Sequence, residues 1–324
     1  MVAGELDAKG RRKRTTPVST GKRITLQPAD LRWLQKLHEH GPLPSSFLIA
    51  YTKESRQSDK RSTERLTDLF NEDETKHGGR YLDRPPQQFR TIDSRYNQLV
   101  YDLAPAGRRA LQEAGQWKDG VVSSSGPWLH RFMVSCTTAS VELATLLRDD
   151  VSYIPQHRIL VRAGTELRYP VAFTDPGTGR AIEKDLIPDA VFGLQYQTPE
   201  GRRFRFFAVE CDRATEPTTT GDWGRKSWLR SLLQYRTYIA GGRYRDHLRL
   251  TAPMLVLNVV TDEKRLSKLI TATEKEAGDG GNAYLLFRCC DAFGPVFRPP
   301  SPLYDLLDEP WPRAGREPFK IDTA

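Results

Sequence analysis

The sequence has four cysteines in 324 residues, Cys136, Cys211, Cys289 and Cys290, and no two are separated as in a zinc knuckle. They are expected as reduced, mostly buried thiols of a cytoplasmic protein rather than as a disulfide framework. No apolar run approaches the roughly 20 residues needed to cross a bilayer, so a membrane-spanning helix is excluded. The run Lys9-Gly10-Arg11-Arg12-Lys13-Arg14 has no hydrophobic segment after it and does not read as a secretory signal. Six histidines, His38, His40, His77, His130, His157 and His247, are scattered without metal-ligand spacing. Coiled-coil heptads are lacking as well, so no dimer element is evident and the oligomeric state stays open.

What the sequence does have is basic charge, unevenly placed. The net charge is +8, and residues 1–120 hold 22 Lys and Arg against 16 Asp and Glu, whereas the remainder holds 27 against 25. A basic front joined to a nearly neutral remainder suits a polyanionic partner at the front end. The division expected is a basic flexible arm at 1–26, a module at 27–115, a second domain at 128–292 and a Pro-rich tail at 293–324. The arm either grips phosphates or aids solubility. The tail is expected to wrap the surface without a core of its own.

In the front module Pro28 suits a first helical turn, and Leu31, Trp33, Leu34 and Leu37 form an apolar stripe ending near Gly41-Pro42. Further helices fit Pro44–Tyr51 and Ser62–Asn71. Strands then fit Arg80–Asp83 and Leu99–Leu103, followed by a short helix through Leu111. Three helices followed by a two-stranded ribbon is the order of a winged helix-turn-helix, whose third helix enters a major groove. Lys53, Arg56, Lys60, Arg61 and Arg65 cluster before and along that helix, and Arg84, Arg90 and Arg95 lie in the wing. These residues predict contacts to double-stranded DNA, with a winged helix used for protein contacts as the alternative. Phosphate contacts would position the protein without specifying bases.

The second domain opens with a long helix, Leu129–Arg148, that contains Glu142. Residues 157–174 and 186–194 read as strands. Ile187 to Leu194 and Phe206 to Asp212 read as a hairpin about Thr198-Pro199-Glu200-Gly201-Arg202. Glu210 and Asp212 are two apart and share a face in a strand. A two- or four-residue loop sets Asp189 on that face; a three-residue loop needs a bulge. Three carboxylates on one face repel unless they share a cation, for which Mg²⁺ or Mn²⁺ suits an all-oxygen site able to activate water against a phosphodiester. The alternative is a solvated strand end, with Asp212 paired to Arg213. In the next helix Trp228, Leu232, Tyr235 and Ile239 face the core, while Gln234 and Tyr238 lie four apart on a common face. Lys226, ahead of them, is within reach of the carboxylates. A strand at Met254–Val260, a helix at Asp262–Thr273 and a strand around Tyr284–Cys290 complete the layer. The fold class is therefore α/β in the broad, α+β sense.

The series Glu142, Pro188-Asp189, Glu210-Cys211-Asp212 and Gln234-Tyr235-Arg236-Thr237-Tyr238 resembles the PD-(D/E)XK nuclease superfamily. The resemblance implies a nuclease-like mixed-sheet domain in which Asp189 and Glu210 hold the metal and Glu142 supports it. By the same resemblance Gln234 and Tyr238 contact backbone phosphate or shape the site. Asp212 stands where that superfamily usually has its catalytic Lys, and Lys226 is the candidate replacement. The chain as a whole also resembles the replication-relaxation family of mobile-element proteins over about residues 27–290. Tyr81-Leu82-Asp83-Arg84-Pro85, the run from Tyr101 to Leu111, and Glu210-Cys211-Asp212-Arg213-Ala214-Thr215-Glu216 with Lys226 and Tyr235 carry this likeness. It implies a part in plasmid or integrated-element DNA replication, relaxation or transfer, with a replication or transfer protein of the element as partner. Three functions follow: a metal-dependent DNA endonuclease, a non-catalytic DNA-binding accessory, and a transcriptional regulator whose second domain senses a ligand.

Overall fold

Helices begin where the sequence supplies their punctuation. In the computed structural model, which describes residues 14–72, 79–90, 96–122, 126–219, 222–294 and 296–324, helix α1 (Pro28–His40) starts on Pro28, and Asp30 Oδ2 accepts from the Gln27 N–H at 2.9 Å. Strand β1 (Leu43–Pro44) and helix α2 (Ser45–Tyr51) follow. Helix α3 (Asp59–Asn71) begins three residues before the expected Ser62, because Ser58 Oγ accepts from the Arg61 N–H and caps it there.

Strands β2 (Leu82–Asp83) and β3 (Val100–Leu103) join β1 in an antiparallel sheet of order β1-β3-β2, and helix α4 (Pro105–Glu113) closes the set. The polar stretch after β2 forms a 3-10 turn, Pro86–Phe89. There the buried Gln88 amide bonds both the N–H and the C=O of Val100 at 2.8 Å, as a neighbouring strand would. Trp33, Leu34, Phe47, Leu66, Phe70 and Tyr101 fill the core of this region. Among residues 14–26, Ile24 is buried, and the Glu72 carboxylate accepts from Ser19 Oγ at 2.6 Å and Thr20 Oγ1 at 2.8 Å.

The chain divides into two compact units. One comprises Met1–Lys118, Ser124–Ala139 and Val296–Pro302; the other comprises Asp119–Ser123, Ser140–Pro295 and Leu303–Ala324. Helix α5 (Trp128–Thr145) supplies residues to both. The second unit continues with β4 (Val151–Ile154), α6 (Gln156–Ala163), β5 (Tyr169–Thr174), β6 (Ala181–Leu186), β7 (Ala190–Thr198) and β8 (Gly201–Asp212). Residues 157–174 are therefore not one strand. Ile159, Leu160 and Ala163 bury one face of a helix, and Gly164, left-handed at φ 66°, ends it. Next come α7 (Trp228–Tyr235), α8 (Arg243–Leu248), β9 (Met254–Val260), α9 (Glu263–Ala277) and β10 (Leu285–Cys289).

Five of these strands form a mixed sheet of order β10-β9-β8-β7-β4, in which β8, β9 and β10 run parallel while β7 pairs antiparallel with both β8 and β4. Thr198 pairs with Gly201, so the β7–β8 loop is the two-residue Pro199-Glu200. At the centre of the sheet Gly193 lies opposite Phe206. A Cβ there would come within 2.8 Å of the Phe206 ring, so the ring requires glycine beneath it. One face carries Val191, Phe206, Ala208, Val256 and Val260, which pack with Trp228, Leu232, Tyr235 and Leu269 of α7 and α9.

The C-terminal segment differs from the expected coreless tail. Helix α10 (Asp305–Asp308) and the hairpin of β11 (Trp311–Arg313) and β12 (Arg316–Phe319) bury Leu306, Leu307, Trp311, Ala314 and Ile321. Trp311 is 0% exposed, and its indole N–H donates to the Leu306 carbonyl at 2.9 Å. The prolines obscure an apolar pattern that is present between them. No helix among the described residues is long and apolar enough to cross a membrane. Trp311→Ala should cost about 3–5 kcal/mol of stability, read by urea unfolding; a loss below about 1 kcal/mol would show that this segment is dispensable to the core.

Candidate functional site

The two-residue loop fixes the register that brings the carboxylates together. Ala190 pairs with Val209, and Asp189, just ahead of β7, donates its N–H to the Val209 carbonyl at 3.0 Å, close enough for its charge to act on Glu210. Asp189 Oδ2 accepts from the Cys211 N–H at 2.8 Å. Glu210 is 8% exposed, and its two oxygens have separate donors: the Tyr235 hydroxyl at 2.5 Å on Oε1, and Lys226 Nζ at 3.3 Å on Oε2. Lys226, just ahead of α7, also reaches Glu216 Oε1 at 3.4 Å.

Burial pushes the Glu210 carboxyl up to about 7, against the Lys226 charge that pulls it down; Asp189 adds to the rise, and the Tyr235 hydrogen bond opposes it. Lys226 is held above its ordinary value, chiefly by Glu210. Tyr235 is raised well above its ordinary value by burial first and by the Glu210 charge second, so it remains a donor.

The other expected site residues lie elsewhere. Asp212 shares the strand face with Glu210 but is gripped by Arg265 of α9, through Nε at 2.8 Å and Nη2 at 2.5 Å, rather than by Arg213. Arg265 Nη1 donates to Thr218 Oγ1 as well, so this pair fastens the loop that carries Glu216. Gln234 donates to the Lys184 carbonyl at 3.0 Å, and the Tyr238 hydroxyl meets His247 Nδ1 at 2.7 Å. Both side chains meet the β5–β6 hairpin, Gln234 at Lys184 and Tyr238 against the Tyr169 ring, with α7 passing into a π turn at Arg236–Ala240 between them. Glu142 is half-buried on α5, and the charges acting most on Glu210 are those of Lys226, Asp189 and Glu216.

Sequence reasoning did not assign Tyr235 and Glu216 to the site. Tyr235 falls on the core-facing stripe of its helix, and a buried tyrosine hydroxyl needs an acceptor; the strand glutamate beneath it is that acceptor. Glu216 lies in an irregular loop, where no periodicity announces it.

In the first unit the basic residues have divergent roles. Asp30, 0% exposed, receives Arg56 Nη2 at 2.8 Å and a fork of Arg65 through Nε at 3.2 Å and Nη2 at 2.7 Å. Arg56 also lies 4.6 Å from the Trp33 ring centroid. Arg84 is buried, 4.0 Å from the Phe70 ring, with Nη2 donating to Thr67 Oγ1 and to the Tyr101 hydroxyl at 3.2 Å. Lys53 pairs with Asp59 at 2.6 Å in the open. Lys60, Arg61 and Arg90 are exposed, and Arg95, like the basic residues 9–13, lies outside the described residues. A hollow of about 720 Å³ at the start of α3 is lined by Arg56, Arg61 and Arg65 together with Ser55, Ser58 and Asp68.

These features define a mixed α+β chain with paired carboxylates on one sheet face and guanidiniums gathered at the head of a helix. The replication-relaxation family model matches residues 34–251, more than half of the chain, and the chain belongs to that family. The family's name points to a part in replication and relaxation of mobile elements. No curated protein and no solved structure matches the chain.

Two outcomes follow from this geometry. Tyr235→Phe leaves a buried carboxylate oxygen without its donor and should lower stability by about 1–3 kcal/mol in urea unfolding. Because the folded-state value of Glu210 is raised from 4.5 to about 7, the folded chain holds that proton more tightly than the unfolded chain. The stabilisation is complete below about pH 4.5 and is lost as pH rises through about 7. Glu210→Gln should flatten that decline in unfolding experiments between about pH 5 and about pH 8; an unchanged slope would assign it to other groups.

Proposed function

We propose that this family member is a DNA-binding protein of a plasmid or integrated element, and that its second unit is a PD-(D/E)XK nuclease-like domain hydrolysing phosphodiesters with a divalent metal. The observation that carries the reading is the pair of Glu210 on β8 and Asp189 just ahead of β7, near enough for their charges to interact, with the Lys226 ammonium on one Glu210 oxygen. The donor set fits a hard cation in being all oxygen and anionic, and the Lys226 ammonium on Glu210 Oε2 would have to move aside for it. Asp189 and Glu210 would hold Mg²⁺ or Mn²⁺, which supplies polarisation of a phosphodiester and activation of water. Lys226 would steady charge developing on the phosphate, the part the superfamily gives to a strand lysine.

The helix order α1–α2–α3 with the sheet β1-β3-β2 supports a winged helix-turn-helix reading of the first unit, with α3 toward double-stranded DNA. On this reading Lys60, Arg61 and Arg90 are the phosphate contacts, because they are exposed and make no ion pair among the described residues. Arg56 and Arg65 present guanidiniums already fixed on Asp30. A replication or transfer protein of the element is the expected protein partner.

A second reading has one observation in its favour. Asp212 stands at the superfamily's lysine position and is neutralised by Arg265, so the fold is charge-balanced there without a metal. That suits a non-catalytic DNA-binding accessory or a transcriptional regulator whose nuclease-like unit docks DNA or a partner. Cleavage of supercoiled plasmid decides between the two. With Mg²⁺ or Mn²⁺ the wild type should nick or linearise, Asp189→Ala with Glu210→Ala should not, and Lys226→Ala should be roughly 10²-fold slower. DNA retardation without cutting by any of them would select the accessory reading. Lys60→Ala with Arg61→Ala should lower the slope of log affinity against log salt by about 1–2 for any DNA sequence; an unchanged slope would move the DNA surface away from α3.

A further inference from the structure

The sheet register extends the carboxylate pair by one strand. Glu210 of β8 is the partner of Asn258 on β9, and Asp189, just ahead of β7, lies on the other side of Glu210's strand. Val256 and Val260, two residues to either side of Asn258, pack with α7 and α9, so by strand alternation Asn258 lies on the face that carries Glu210. It is 2% exposed in an otherwise aliphatic strand, where an amide is costly unless both of its ends are satisfied.

One end is satisfied. Asn258 Nδ2 donates to the Leu286 carbonyl of β10 at 3.0 Å. A carbonyl only accepts, so it fixes which end of the amide is nitrogen. With Nδ2 engaged at β10, Oδ1 is the end left over, on a side chain whose neighbour on β8 is Glu210. That oxygen is buried and has no hydrogen-bond partner among the described residues. A lone buried acceptor on the strand neighbour of Glu210, held in place by its own nitrogen, suits a positively charged ligand.

We propose that Asn258 is the third oxygen donor of the Asp189–Glu210 site and meets a divalent cation through Oδ1. The proposal rests on the metal-holding reading of that site. Its chemistry is that of a hard cation: two carboxylates supply the charge and a neutral amide oxygen supplies a further donor without further repulsion. An aliphatic residue at 258 would pack as well or better, whereas the amide oxygen offers a lone pair that a cation in front of it would use.

The test is Mn²⁺ binding to the full chain without DNA, by electron paramagnetic resonance or calorimetry. Asn258→Leu, close in volume, should bind Mn²⁺ roughly tenfold more weakly than wild type. Asn258→Asp, which keeps the oxygen and adds charge, should bind at least as tightly as wild type. A merely structural amide would give the reverse order, because Asp buries an unpaired charge and Leu does not. Equal affinity of Asn258→Leu and wild type overturns the proposal while leaving the metal site standing. No Mn²⁺ binding by wild type overturns the metal-holding reading itself, and this inference with it. Should Asn258→Leu fail to fold, Asn258→Asp alone decides, since looser binding than wild type contradicts an oxygen donor at that position.

Discussion

Glu210 is a carboxylate in the middle of a sheet, and the second unit is arranged around keeping it there. A strand glutamate at this depth needs donors on both oxygens, and they come from outside the sheet: a tyrosine from the helix above and a lysine from the segment leading into that helix. Those two contacts set how α7 sits on the strands. They also require the loop between β8 and α7 to return close over the strand end, and Arg265 fastens that loop through Asp212 and Thr218. Packing and chemistry coincide here. The residues that make Glu210 tolerable are also those that would act on a ligand at the strand end.

Asp30 has the same place in the first unit. Its carboxylate is buried at the start of α1, and three segments donate to it: the backbone ahead of its own helix, Arg56 beyond α2, and Arg65 on α3. Residues that look like a basic surface in sequence are in part the means by which the helices are held together. Arg84 carries this furthest, with its guanidinium stacked on Phe70 and bonded to Tyr101 inside the unit. Charge read along a sequence gives sign and density but says nothing of which cations are already engaged; the acidic partner is 26 residues from Arg56 and 35 from Arg65.

Where local patterns dominate, the sequence was legible. Helices α1, α2 and α7, the β7–β8 hairpin and strand β9 follow from capping, periodicity and turn residues, whereas the length of the hairpin loop, left open by the turn residues, is two in the structure. Family membership was legible for a similar reason, in short runs such as Glu210-Cys211-Asp212 with Lys226 downstream. What escaped depended on long-range or irregular geometry. Helix α6 is short and rich in β-branched neighbours, so its period was mistaken for a strand's. Gln234 and Tyr238 share a face as their spacing implies, but that face meets the β5–β6 hairpin, a partner no local pattern names. Tyr235 and Asn258 look like core filling in one dimension, and only the sheet order shows that each is next to Glu210.

The double engagement of Asp30 has an entropic side. A surface arginine ordinarily gives up considerable rotamer freedom when it grips a phosphate, and that loss is subtracted from the affinity. Arg56 and Arg65 have already given it up in the folded chain, one against an indole ring and both against a single carboxylate that neutralises only one of them. The Asp30 cluster taken by itself therefore keeps one unit of positive charge, with Glu64 and Asp68 lining the same hollow beside Arg61. An anion arriving there meets a rigid fixture, and the cost of ordering it was met when the helices folded together.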